Sequence, residues 1–67
     1  MTFGNKVSTH RLKNNLTQGE LGEKVGVSAM MISYLEKGLK QPTFEMAKRL
    51  AKALDVSLDY LADDSKN

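Results

Sequence analysis

The twenty residues Gln18 to Lys37, QGELGEKVGVSAMMISYLEK, constrain this chain more than any other stretch. Leu21 and Val25 stand four apart, and Ile32 and Leu35 three apart. Each pair therefore lies on one face of a helix. Gly26-Val27-Ser28 separates the pairs. Gly26 can take the left-handed conformation that a side chain penalises, and Ser28 can cap a new helix. Gly22 lacks the bulk that would hold a second helix away. The pattern predicts two short helices packed across a tight turn, the first presenting Leu21 and Val25 and the second Ile32 and Leu35.

Such a helix-turn-helix serves chiefly to push its second helix into the major groove of DNA. The charge distribution agrees. Positions 1–42 carry six basic residues (Lys6, Arg11, Lys13, Lys24, Lys37, Lys40) and three acidic ones, whereas positions 55–67 carry Lys66 against Asp55, Asp59, Asp63 and Asp64. A polyanion should meet the basic end, and the acidic tail should point away. The net charge of +2 is too mild to establish this alone, because the same charges also read as ordinary solvated surface.

At 67 residues there is room for one domain. With no cysteine, neither a disulfide nor a thiolate zinc site can form. The N-terminus lacks the apolar stretch of a signal peptide, and no apolar run approaches the roughly 18 residues of a membrane span. A cytoplasmic protein is the expectation.

The pattern predicts five helices and no sheet. Helix one should run from about Asn5 to Asn14, with Phe3, Val7 and His10 inward. Thr17 and Glu20 form a capping box at the start of helix two. Ser28 caps helix three, which ends at Gly38. Thr43 caps helix four, whose apolar stripe is Phe44, Ala47, Leu50, Ala51 and Leu54. Ser57 caps helix five, Leu58 to Ala62. Residues 1–62 form the domain and 63–67 a polar tail. Val7, Leu16, Leu21, Val25, Val27, Ile32, Leu35, Phe44, Leu50, Leu54, Val56 and Leu61 must converge on one core.

From about Val7 to Leu61 the sequence resembles the Xre/Cro/phage-repressor helix-turn-helix family. The resemblance rests on Leu16-Thr17-Gln18, Leu21, Gly26-Val27-Ser28, Ile32-Ser33, Leu35-Glu36, Gly38, Pro42-Thr43, Leu50-Ala51-Lys52-Ala53-Leu54 and Val56-Ser57. Gly22 stands where alanine is usual, His10 where an aliphatic residue is common, and Asp55 where glycine or asparagine is common. The resemblance implies an all-α, five-helix, lambda-repressor-like domain that binds double-stranded operator DNA, usually as a two-fold dimer. It implies no cofactor, no metal and no catalysis.

With Ile32 and Leu35 inward, the other face of helix three carries Ala29, Met30, Ser33 and Tyr34, with Ser28 at its start. These positions match the family's base readers. None is an arginine, lysine, asparagine or glutamine, so the bidentate readers of guanine and adenine are absent. Ala29 and Met30 can touch thymine methyls, while Ser28, Ser33 and Tyr34 can make single hydrogen bonds. The expected half-site therefore places thymines opposite Met30, with part of the selectivity arising from DNA shape. Met31, nearer the Leu35 side, is assigned to the core.

Gln18 should meet a phosphate at the start of helix two. The family places backbone N–H groups near Thr43 and Phe44 likewise, and Lys40 and Lys37, with Lys13 less directly, would add charge. In similar repressors the positions of Arg11 and Glu36 pair as a partly buried ion bridge between helices one and three. Leu58 and Leu61 correspond to family positions at the subunit contact, and a small, weak homodimer is expected.

Other functions fit less well. His10 is the one histidine, and Asp63 and Asp64 lie on the polar tail, so no acid–base or nucleophilic constellation is assembled. An antitoxin or adaptor on the same fold, binding a protein partner, is the serious alternative. A fragment of a longer repressor also fits a chain that stops just after helix five.

Overall fold

Five hydroxyls start five helices. In the computed structural model, which describes residues 1–63, the chain runs α1 (Phe3–Lys13), α2 (Gln18–Val25), α3 (Ala29–Lys37), α4 (Phe44–Leu54) and α5 (Leu58–Ala62). Thr2, Thr17, Ser28, Thr43 and Ser57 precede them, each in extended backbone. Each side-chain oxygen accepts the N–H of the residue three further on, at 3.0–3.1 Å. Thr17 and Glu20 complete the capping box: the Thr17 N–H donates to Glu20 Oε1 at 2.8 Å. Each cap satisfies a donor that the helix cannot, worth about 1 kcal/mol.

Left-handed residues stop three of the helices. Gly26 (φ 84°) ends α2, Gly38 (φ 79°) ends α3 and Asp55 (φ 61°) ends α4. Asp55 tolerates a conformation that most side chains resist. α1 begins two residues before the Asn5 expected from the sequence, because Thr2 is the cap.

Helices this short are held by packing, not by propensity. Val7, Leu21, Ile32, Leu50 and Leu61 are fully buried and Val25, Leu35, Ala51 and Leu54 nearly so. Leu16, Val27, Met31, Val56 and Leu58 close the core's edges. α2 and α3 meet across Gly22, where an added Cβ would lie 2.5 Å from the Val27 carbonyl oxygen. At this spacing a side chain on residue 22 would force the turn backbone to shift.

Two expectations need correction. Phe44 is not part of the core; it is 71% exposed. As the first residue of α4, its side chain leans back past the helix end, away from the buried stripe of Ala47, Leu50, Ala51 and Leu54. Leu61 is fully buried, as its place in the expected core requires, so in the single chain it offers no surface for the subunit contact to which its family position also assigns it. The polar tail expected over 63–67 lies, except for Asp63, outside the described residues.

Candidate nucleic-acid interface

Burying Ile32 and Leu35 orients α3. Its start faces out: Ser28, Ala29 and Met30 are exposed, Met30 by 62%. Ser33 and Tyr34 are half-buried. Met31, one residue from Met30, packs against the core. Ser28 Oγ accepts the Met31 N–H at 3.1 Å, which leaves its hydroxyl proton available to a ligand. The exposed start of α3 is therefore apolar, with single hydroxyl groups before and after it.

The N-terminus of α2 lies beside this face, a Cβ on Gly19 falling 4.0 Å from Ala29 Cβ, and the α4 cap Thr43 lines a small hollow with Met31 of α3. In α2 the Glu20 N–H is taken by Thr17 Oγ1 and the Leu21 N–H by Thr17 O. The Gln18 and Gly19 N–H groups stand before these bonds, where the helix dipole favours an anion. In α4 the Met46 and Ala47 N–H groups bond to Thr43, and those of Phe44 and Glu45 stand before them. Lys37, in the last turn of α3, and Lys40, in the loop that follows, are exposed. Glu45 at the start of α4 opposes an anion, but Lys48 (3.7 Å) and Arg49 (3.4 Å) both pair with it. Lys48 also lies 5.4 Å from the centre of the Phe44 ring.

A bidentate ion pair fixes the frame behind the face. Arg11 Nε donates to Glu36 Oε2 at 2.6 Å and Nη2 to Glu36 Oε1 at 3.2 Å. Both side chains are about nine-tenths buried. Arg11 Nη1 also donates to the Leu16 carbonyl at 2.8 Å, and Gln18 Nε2 to Glu36 Oε1 at 3.0 Å. This network ties α1, the hinge at Leu16, the start of α2 and the end of α3 together. Gln18 is thereby oriented by Glu36, with its amide oxygen and backbone N–H not used in that bond.

A second buried cation escaped the sequence pattern. Lys6 is 7% exposed, and its Nζ donates to the Tyr60 carbonyl at 2.7 Å and to the Asp63 carbonyl. The same Nζ sits 4.7 Å from the centre of the Tyr60 ring, and His10 Nε2 meets the Tyr60 hydroxyl at 2.9 Å. Lys6 thus caps the C-terminal end of α5, where the helix dipole favours a cation. The partners lie more than fifty residues apart in sequence, and no local pattern links them.

Comparison with known proteins follows this geometry. A family model described as helix-turn-helix matches residues 8–61. An uncharacterised HTH-type transcriptional regulator of Methanocaldococcus jannaschii is 38% identical over 55 residues, covering 82% of this chain and 83% of that protein. Repressor protein C2 of Salmonella phage P22 is 40% identical over 59 residues, covering 88% of this chain and 27% of that repressor. Among solved structures, the P22 c2 repressor in complex with a synthetic operator superposes with a TM-score of 0.87 at 38% identity, over 91% of this chain and 92% of that one. SinR in complex with DNA superposes with a TM-score of 0.85 at 28% identity, over 92% and 100% of the two chains. The match over residues 8–61, the identity to these regulators and the exposed start of α3 place this chain in the helix-turn-helix family of DNA-binding transcriptional regulators.

Proposed function

We propose that this chain is a cytoplasmic, non-enzymatic repressor of phage or bacterial type that reads operator half-sites with α3 in the major groove. One observation carries the reading: the start of α3 is exposed and flanked by two helix N-termini. Ser28, Ala29, Met30, Ser33 and Tyr34 would face the bases, with thymines opposite Met30. Gln18, Lys37, Lys40 and the N–H groups near Thr43 and Phe44 would meet phosphates on either side. The similar P22 c2 repressor and SinR, solved in complex with a synthetic operator and with DNA, support DNA as the ligand.

Two-fold pairing belongs to the same proposal, since two half-sites about 34 Å apart multiply a single domain's modest affinity. With Leu61 in the core, the contact rests on Leu58 and on exposed Phe44. Phe44 borders a hollow lined also by Phe3, Gln41, Pro42, Thr43, Ala47 and Ala62. Ala62 stands one helical turn after Leu58, so both share a face of α5.

Selection of bound duplexes from a random library tests the proposal. The expected products are thymine-containing half-sites repeated about one helical turn apart. Recovery of no sequence preference would overturn the reading and favour a protein-binding adaptor.

A further inference from the structure

The exposed start of α3 adjoins a glycine in the first turn of α2. A Cβ placed on exposed Gly19, in the first turn of α2, would lie 4.0 Å from Ala29 Cβ. The same Cβ would lie 3.8 Å from Thr17 Oγ1, which already accepts the Glu20 N–H; Gly19, Ala29 and Met30 themselves bring no hydrogen-bonding side-chain atom to this shelf. Met30 is 62% exposed, whereas its neighbour Met31 is packed against the core, so the shelf presents a long apolar side chain to solvent.

Such a shelf responds to one feature of a pyrimidine's major-groove edge. Thymine carries a methyl at C5, and its O4 is an acceptor; cytosine carries hydrogen at C5, and its N4 is a donor. An apolar surface gains from the methyl and makes no bond to O4 or N4. Ser28, Ser33 and Tyr34 retain hydrogen-bonding groups outside the shelf: Ser28 precedes it as the helix cap, and Ser33 and Tyr34 lie further along α3 and are half-buried. The shelf therefore does not separate thymine from a cytosine methylated at C5.

We propose that Gly19, Ala29 and Met30 form a C5-methyl recognition site, so that cytosine methylation at the contacted step strengthens operator binding. This rests on the DNA-binding reading above and adds a ligand class, 5-methylcytosine, and a mode of regulation.

The test uses the full chain, fluorescence anisotropy and the duplex recovered by selection. Each thymine in turn is replaced by deoxyuridine; separately, a cytosine–guanine pair at that position is compared with its 5-methylcytosine form. Each comparison changes one methyl and no hydrogen-bonding group. The expected result is a preference of about fourfold for the methylated base in both comparisons, at the same position of each half-site, as burial of one carbon implies. In the Met30→Ala variant, with its helical circular dichroism unchanged, that preference should shrink in both. The base substitutions leave the protein untouched, so the result does not depend on how the variant folds. A preference in neither comparison, a preference for thymine over uracil without one for 5-methylcytosine over cytosine, or an effect undiminished by Met30→Ala would overturn this proposal and leave DNA binding standing. Absence of salt-dependent binding to any duplex would overturn both.

Discussion

Two buried cations show how single residues hold this small domain. Arg11 and Glu36 neutralise one another, and the Leu16 carbonyl and Gln18 amide use the bonding capacity that remains. Removing one partner strands the other in a low-dielectric site. Arg11→Met and Glu36→Leu should each cost about 3–5 kcal/mol, and the double variant less than their sum. Chemical denaturation checks this; unchanged midpoints in both single variants would contradict the role. Lys6 works differently, because its partners are backbone carbonyls and the Tyr60 ring. Lys6→Met should cost about 1–3 kcal/mol, as expected when buried acceptors lose a donor. Hydrogen exchange should then quicken first in α5, the element this amine caps.

At the scale of the elements, local chemistry was readable and distant chemistry was not. Thr17, Ser28, Thr43 and Ser57 were legible as caps because a cap and its target lie three residues apart. Gly22 and Gly26 were legible because close approach and positive φ leave few other choices. Apolar spacing placed Ile32 and Leu35 inward, and thereby Ala29 and Met30 outward. The same spacing misplaced Phe44, since periodicity says nothing about where a helix ends relative to its neighbours. It also left Leu61 open between core and contact. The Lys6 cap depends on α1 meeting α5, a tertiary fact with no sequence signature. Among the elements, the α2–α3 turn is the most restrictive. Gly22→Val should separate the two helices, costing 2 kcal/mol or more on the order of other overpacked sites. Ser28→Ala should cost about 1 kcal/mol through the lost cap. Thermal melts distinguish the two, and equal effects would contradict the packing argument.

For the whole molecule, the pieces combine into a rigid platform that presents one short helix. The Arg11–Glu36 network sits behind the face and the exposed lysines sit beside it. The frame reaches the surface offered to DNA through Gln18, whose amide donates to Glu36. Assembly should be weak in the absence of DNA, because the exposed apolar area around Phe44 and Leu58 is small. Sedimentation at rising concentration should show a monomer that dimerises only slightly, and Phe44→Ser should reduce that further. A tight dimer without DNA would contradict this view. The central claim is that the start of α3 and the flanking N-termini meet a DNA duplex. Its most direct test is affinity for random-sequence duplex measured across salt concentration. Affinity should fall steeply, with a logarithmic slope of about −0.9 for each phosphate neutralised, reduced by about one in Lys40→Gln. A flat line, with affinity indifferent to salt and to Lys40, would contradict it.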